Sequence, residues 1–155
     1  MIKKRAIIER TVDKVLQPDG FRRKGLRWIK NKEECVLIVS FQKSQYDESY
    51  YLECGVAVLA LHEKHPASVE HCDIQVRLGA LTSQAVKYNA AFRLEGPDMK
   101  DDERAEIICE AIRDVALPFL VAWDSLDKIR AHLIEGGYGM VYVCPQLRAL
   151  CSSNR

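Results

Sequence analysis

Apolar residues near the start of the chain recur at three- and four-residue spacing, and the residues between them are mostly polar or charged. The apolar positions are Ile8, Val12, Val15 and Leu16. This spacing places them on one face of a helix, so it predicts an amphipathic N-terminal helix. Pro18 and Gly20 predict where that helix ends.

Four strand-like segments, separated by polar residues, follow the helix. They are residues 21–30, interrupted by Gly25, and residues 35–43, 50–61 and 74–78. In the last segment Ile74 and Val76 alternate with polar residues, which indicates a strand with one packed and one solvated face. Residues 31–34 predict a hairpin turn, and residues 36–39 are apolar on both faces, as in a central strand covered on each side. The pattern predicts an antiparallel sheet of about four strands.

Residues 82–95 alternate weakly but also contain helix-forming residues, and we interpret them as an irregular or edge segment that ends in a break at Gly96 and Pro97. The apolar period then changes to that of a helix. Its stripe consists of Ile108, Ala111, Ile112 and Val115. The acidic residues 101–103 favour a helix N-terminus because they complement the helix dipole. Pro118 predicts the end of this helix or a kink.

A further helix is predicted after Ser125, whose side chain can cap it. Its inward residues are Leu126, Ile129 and Leu133, and it stops at Gly136 and Gly137. Residues 140–143 predict a short last strand. These elements indicate one α+β domain over residues 1–155, with an N-terminal helix, the antiparallel sheet and a helical C-terminal third.

Composition narrows the class of protein. The chain has 155 residues, of which 48% are hydrophobic and 29% charged, as in ordinary globular domains. No apolar run approaches the roughly 20 residues of a membrane span, and the charged residues 1–14 lack the apolar core of a signal peptide. Six cysteines are scattered without a CxxC pair. We therefore expect a protein of a reducing cytoplasm with no membrane partner.

Charge is distributed unevenly along the chain. Residues 1–32 hold eleven Lys or Arg and three Asp or Glu, whereas residues 101–135 hold four and nine. Phe21 and Trp28 interleave with the basic residues, and this combination is typical of nucleic-acid binding through phosphates and stacking. The alternative interpretation is that the basic N-terminal elements lie near the acidic C-terminal helix, so that the fold neutralises itself.

The basic run consists of Arg22, Arg23, Lys24, Arg27, Lys30 and Lys32. Alternation along a single strand would divide it between two faces. Arg22, Lys24 and Lys30 would share one face, and Arg23 and Arg27 would share the other. A nucleic-acid surface requires one continuous basic face, so this division counts against it.

Three histidines, His62, His65 and His71, lie close in sequence to Cys72 and Asp73. Such residues are candidate metal ligands, but their spacing fits none of the standard ligand patterns, and we expect solvated side chains rather than a metal. On a strand, His71 and Cys72 would point to opposite faces, so the imidazole could not activate the thiol. We assign no catalytic residue here.

Polar residues at two strand ends form the most plausible recognition surface. They are Gln42, Lys43 and Ser44, together with Gln75 and Arg77 on a neighbouring strand. These side chains could converge on an anion or on a carboxylate-bearing partner, with Arg77 as the bidentate donor. The alternative is that Arg77 pairs with Glu53 on an adjacent strand.

Several spaced motifs carry a family resemblance over about residues 7–136. They are LQPDGFRRKGLRW, VSFQKSQ, YLECGVAV, HCDIQVRLGAL and ALPFLVAWDSLDKI. The chain resembles the bacterial family known as domain of unknown function 4304, whose FQKS element falls on residues 41–44 and whose GF-x-x-K-G element falls on residues 20–25. After Leu81 a tryptophan-containing segment is expected, and Tyr88 and Phe92 stand there instead. The resemblance implies a compact bacterial cytoplasmic domain and transfers no catalytic residue.

We therefore predict a non-enzymatic protein-binding module, such as a toxin-neutralising, immunity-like protein. Its candidate binding residues are Lys24, Trp28, Gln42, Lys43 and Arg77. One alternative is a nucleic-acid-binding protein that uses the basic N-terminal third. The other is a small-molecule enzyme with a site near Gln42, Lys43 and Arg77, for which Glu53 and the histidines are the remaining titratable candidates. We predict no cofactor, and the pattern leaves the oligomeric state open.

Overall fold

A computed structural model describes residues 2–94 and 99–153 of the chain. The helices are α1 (Ile2–Leu16), α2 (Ala85–Ala91), α3 (Asp101–Ala111), α4 (Leu117–Ala122), α5 (Leu126–Glu135) and α6 (Pro145–Ser153). The strands are β1 (Arg22–Lys24), β2 (Arg27–Asn31), β3 (Cys35–Lys43), β4 (Tyr50–Val58), β5 (Ile74–Arg77) and β6 (Tyr142–Val143). The predicted α+β class is confirmed.

The strands form one antiparallel sheet of six, in which each strand pairs with its neighbours along the chain. About four were predicted. One strand is added because the segment 21–30 folds back at Gly25, whose φ of +63° suits a two-residue hairpin turn. Another is the short β6, which lies within the predicted strand at residues 140–143.

The main core lies on one face of the sheet. Alternate residues of β3, such as Leu37 and Val39, belong to one buried cluster with Ile8 and Val12 of α1. The predicted N-terminal helix is therefore confirmed, and its apolar stripe packs as its spacing requires.

The opposite face, which we call the back face, is covered over one half. A second buried cluster lies there and consists of Val36, Ile38, Ala57, Val69 and Cys72. Val69 and Cys72 belong to the connection between β4 and β5, residues 59–73, which we call the covering segment. The expectation that residues 36–39 are packed on both faces is confirmed.

Gly55 of β4 lies under the covering segment. A Cβ atom at this position would be 2.7 Å from the Cys72 Sγ and 3.3 Å from the Val69 Cα. Both distances are shorter than the separation of about 3.5–4.0 Å at which nonbonded carbon atoms attract. The missing side chain therefore lets the covering segment lie directly on the strand.

The irregular or edge segment predicted for residues 82–95 is wrong over its central part, which forms α2. Tyr88 and Ala91 are buried and lie three residues apart on one helix face, a period that the weak alternation of the sequence concealed. The buried Arg104 donates to the Ala91 carbonyl at 2.6 Å, which satisfies an acceptor at the end of α2. The residues predicted to break the chain, Gly96 and Pro97, lie outside the described part of it.

The C-terminal region follows its predicted helical character with one difference in detail. Pro118 does not end the helix, because a π-helical turn between α3 and α4 accommodates the missing N–H. Ser125 caps α5 as predicted.

The strand predicted for residues 50–61 ends at Val58, where a 3-10 turn begins. Within the described ranges no helix is both long and apolar enough to cross a bilayer.

Candidate functional site

The open half of the back face carries two rows of polar side chains. Strand pairing brings the first row into line from β1 to β5 as Lys24, Arg27, Ser40, Glu53 and Arg77. The second row is Gln42 of β3 opposite Tyr51 of β4. Directly paired residues, and residues two apart on one strand, leave the same face of a sheet. We call these seven residues the polar rows.

The covering segment stops where the polar rows begin. The neighbouring row in β3 and β4 pairs Ile38 with Gly55 and is buried, whereas every residue of the polar rows is exposed or partly exposed. Arg27 marks the boundary, because its Nη1 donates to the Ala67 carbonyl of the covering segment at 2.9 Å. The polar rows are therefore left to solvent.

Glu53 is the centre of the contacts within the polar rows. With the Gln42 amide oriented so that its nitrogen faces the carboxylate, that nitrogen lies 3.0 and 3.2 Å from the two oxygens of Glu53. The Arg77 Nε lies 3.5 Å from the Glu53 Oε1, and its guanidinium lies over the Tyr51 ring at 4.5 Å. The alternative that Arg77 pairs with Glu53 across the strands is confirmed.

These contacts leave the polar rows with an excess of positive charge. Lys24, Arg27 and Arg77 outnumber Glu53, and Arg22 of β1 is exposed on the same face. The Arg77 side chain is 60% exposed, so its ion pair with Glu53 is screened by water and contributes only about 0–1 kcal/mol. An incoming carboxylate could therefore replace Glu53 as the partner of Arg77 at small cost.

The structure separates the predicted recognition residues instead of bringing them all together. Lys43 leaves the opposite face from Gln42, as strand alternation requires, and pairs with Glu48 at 3.2 Å. Ser44 is buried. Gln75 donates to carbonyls of the covering segment, so it belongs to the covered half.

Two members of the polar rows, Ser40 and Tyr51, were missed by sequence reasoning. Their signal was available in the period of two that relates Ser40 to Gln42 and Tyr51 to Glu53 on the same strands. The register between β3 and β4, which decides that these pairs face each other, is set by tertiary packing and had no such signal.

Trp28 offers no surface for stacking. Its side chain is 0% exposed and belongs to the main core, where its Nε1 donates to the Asp13 Oδ1 of α1 at 2.8 Å. Of the predicted binding residues, Lys24, Gln42 and Arg77 thus share the polar rows, while Trp28 and Lys43 lie elsewhere.

The basic run divides between two faces, but not as predicted. The hairpin turn at Gly25 pairs Lys24 with Arg27, so these two residues share a face, and Lys30 lies on the face of Arg23. Arg23 pairs with Asp13 at 3.2 Å. The predicted division was wrong because residues 21–30 form two antiparallel strands instead of one continuous strand.

Cations on the helix side of the sheet are paired with carboxylates. Lys30 pairs with Asp19, and Lys32 lies 2.6 Å from Asp124, which also accepts from Lys128 at 2.8 Å. Burial pushes the pKa of Asp124 upward, but the hydrogen bonds from Lys128 and Lys32 outweigh it and hold this pKa below its usual value. Arg23 and Lys30 thus pair with carboxylates of the N-terminal region itself, and of these three cations Lys32 alone pairs with a C-terminal carboxylate, Asp124.

Two of the three histidines of the covering segment, His62 and His71, make hydrogen bonds to other side chains of the segment, whereas His65 is exposed. The His62 Nε2 lies 2.8 Å from Asp73, whose carboxylate also accepts from the Val58 N–H. The His71 Nδ1 lies 2.9 Å from the Ser68 hydroxyl. Across the described residues, no group of three or more His, Cys, Asp or Glu side chains is arranged to hold a metal.

The thiols near these histidines are not activated. His71 is exposed whereas Cys72 is buried between the covering segment and the sheet, and burial together with Asp73 raises the pKa of Cys72 to about 12. The Cys144 thiol donates to the Asp73 Oδ1 at 3.4 Å, and burial is the main cause that raises its pKa. A thiol that donates to a carboxylate is held protonated, which is the opposite of what a nucleophile requires.

Comparison with known proteins gives a family and nothing beyond it. The family model for a domain of unknown function, DUF4304, matches residues 12–122. This range contains every residue of the polar rows. No curated protein and no solved structure matches the chain.

Proposed function

The chain belongs to the DUF4304 family, and we propose that it is a non-enzymatic module that binds an acidic protein partner through the polar rows. The observation that carries this proposal is the open, cation-rich half of an otherwise covered sheet face. A toxin-neutralising, immunity-like role is the form of this function that we favour, because such a protein acts by stoichiometric binding and needs no reactive group.

The composition of the polar rows supports a protein partner. Arginine and tyrosine are the residue types that most often dominate binding energy at protein interfaces, and Arg77 already stacks on Tyr51. The surface is an open strand face, and its planar shape suits another protein better than a small molecule.

The polar rows are too small to form a stable protein interface by themselves. Five strands spaced by about 4.8 Å span about 19 Å, and two rows cover on the order of 200 Å². A stable interface buries about 800 Å² per partner, so neighbouring segments must contribute. The loop at residues 44–49 adjoins the second row, and its Tyr46 is 92% exposed. We include this loop in the proposed interface.

Charge supports an acidic partner, because complementary potentials accelerate encounter and reject wrong partners. We place the protein in a bacterial cytoplasm. The free state of all six cysteines supports a reducing compartment, and the family resemblance supports a bacterial source.

The alternatives have less support. Trp28 is buried and cannot stack on a base. Arg23, Lys30 and Lys32 pair with carboxylates, which makes them poor contacts for phosphates. An enzyme site near Gln42 loses Lys43, which leaves the opposite face of the sheet.

The test is capture from native bacterial extract with the tagged protein, followed by mass spectrometry. We expect the wild type to recover one acidic protein in stoichiometric amount. The double variant Lys24→Glu/Arg77→Glu should lose it, and Arg113→Glu should retain it. Arg113 is a matched control because it is an exposed arginine on the π-helical turn, outside the sheet.

Equal recovery by the wild type and the double variant would contradict the proposed surface. Recovery of nucleic acid that declines steeply with salt, without a protein, would support the nucleic-acid alternative instead.

A further inference from the structure

A cavity of about 240 Å³ lies between α5 and α6, and none of its lining residues belongs to the sheet. Its lining residues are Arg130, Leu133, Ile134, Arg148, Cys151 and Ser152. On each helix they occupy positions i, i+3 and i+4, so each helix turns a single face toward the cavity.

The charge of this lining is positive, and it is poorly compensated. Arg130 and Arg148 contribute two guanidinium groups, and no carboxylate of the described residues lines the cavity. Arg130 lies 3.5 Å from Asp127, but the Asp127 side chain is 97% exposed, so water screens the pair. Arg148 lies over the Tyr138 ring at 5.7 Å, a contact that leaves its charge in place.

A second cavity of similar size also contains cations, but there carboxylates of the same protein lie beside them. The cavity between α1 and α3 has a volume of about 200 Å³, similar to that of the α5–α6 cavity. It is lined by Arg10 and Lys14, but also by Asp101 and Asp102, so its cations face carboxylates of the same protein. The α5–α6 cavity has the cations, but none of its described lining residues is a carboxylate.

Arg130 also has an unmade hydrogen bond. Its Nε is out of contact with solvent and has no partner within the described residues. A buried donor without an acceptor is destabilising, so Arg130 has hydrogen-bonding capacity that the described residues do not use.

The remaining lining limits the ligand that fits. Leu133 and Ile134 are apolar, and Ile134 is 71% exposed at the opening. The volume is below the roughly 300–1,000 Å³ of typical ligand pockets, so the ligand must be compact. We propose that the α5–α6 cavity binds a small organic monocarboxylate whose carboxylate pairs with Arg130 and Arg148 and whose apolar body lies on Leu133 and Ile134.

The test uses the full chain labelled with ¹⁵N and titrated with benzoate, followed by nuclear magnetic resonance. We expect saturable shifts of the backbone signals of the cavity residues, with a dissociation constant on the order of 1 mM for so small a ligand. Benzamide, which keeps the ring without the charge, and inorganic phosphate, which keeps a charge without the ring, should each bind at least about tenfold more weakly.

Variants make the test specific to the cavity. Ile134→Glu places a negative charge at the opening and should weaken benzoate binding, whereas Val86→Glu, at an exposed apolar residue of α2 that does not line the cavity, should retain it. Arg130→Gln and Arg148→Gln should each abolish saturation at the concentrations that saturate the wild type.

Binding of phosphate or benzamide as tight as that of benzoate, or benzoate binding that is equal in the Ile134→Glu and Val86→Glu variants, would overturn the proposal. None of these variants touches the polar rows, so the outcome does not depend on the proposed protein partner.

Discussion

The two halves of the back face are built by the same strands, yet one is sealed by the protein and the other is left open. In the covered half, Ile38 and Ala57 pack under Val69 and Cys72 of the covering segment. In the polar rows, the same faces of the same strands carry side chains such as Gln42 and Glu53. The covering segment follows the apolar side chains and stops where they end, which indicates that burial decides where the chain lies.

The open half of the back face is therefore not a defect of packing. The protein holds a connection of 15 residues, 59–73, long enough to cover one half, and the polar half gives it no apolar surface to bury. A surface left open in this way costs little stability to alter. It is therefore suited to recognition.

The largest expected effect comes from removing apolar volume in the covered half. Ile38→Ala should lower the free energy of unfolding by about 2–5 kcal/mol, because Ile38 is fully buried and the cavity left behind cannot fill. Gln42→Ala, on the same face of the same strand but in the polar rows, should change it by less than about 0.5 kcal/mol. Urea unfolding measures both. Similar losses of unfolding free energy in the two variants would show that the covered half and the polar rows do not differ in packing.

A smaller effect is expected from the close approach at Gly55. Gly55→Ala should destabilise the protein by about 1–3 kcal/mol, because its new methyl group would lie 2.7 Å from the Cys72 Sγ. Gly79→Ala is the matched control, since the added atom there meets only the Ala85 Cβ at 3.5 Å. If thermal unfolding shows no difference between these variants, the covering segment does not lie against β4 as described.

The smallest expected effect separates ion pairs with a buried carboxylate, at Asp124, from the more exposed pair at Glu53. Asp124→Asn should cost about 1–2 kcal/mol at pH 7, because the carboxylate accepts from Lys32 and Lys128. Glu53→Gln in the polar rows should cost less than about 1 kcal/mol, because its ion pair is exposed to water.

The contribution of the Asp124 carboxylate to the free energy of unfolding should depend on pH. Its pKa is lowered in the folded protein, so its contribution is present above the unfolded value of about 3.9 and is lost as the pH falls through the folded value. The difference between wild type and Asp124→Asn should therefore shrink from pH 7 toward pH 3 in urea unfolding. A constant difference across this range would show that the carboxylate charge is not what Lys32 and Lys128 stabilise.

The strands and their faces could be predicted from sequence where apolar residues alternate or run together, as at residues 36–39 and at Ile74 and Val76. The pairing of Arg77 with Glu53 was accessible as an alternative for the same reason. The faces of Arg27 and Lys30 were not, because a two-residue turn at Gly25 reverses the strand and changes which side each residue occupies.

The composition of the polar rows was only partly accessible. Lys24, Gln42 and Arg77 could be named as polar residues on strands, but whether they share a face depends on register. Trp28 shows the opposite error, a residue that was predicted to bind a partner and lies in the core. An aromatic residue among cations is typical of a binding surface, and here tertiary packing takes it into the core instead.

The most direct test of the proposed interface is hydroxyl-radical footprinting of the protein with and without the partner recovered from extract. Tyr51 lies in the polar rows, whereas Met140 is 80% exposed and lies next to β6 at the far edge of the sheet. The bound partner should slow the oxidation of Tyr51 and leave that of Met140 unchanged. Unchanged oxidation of Tyr51 in the complex would contradict it.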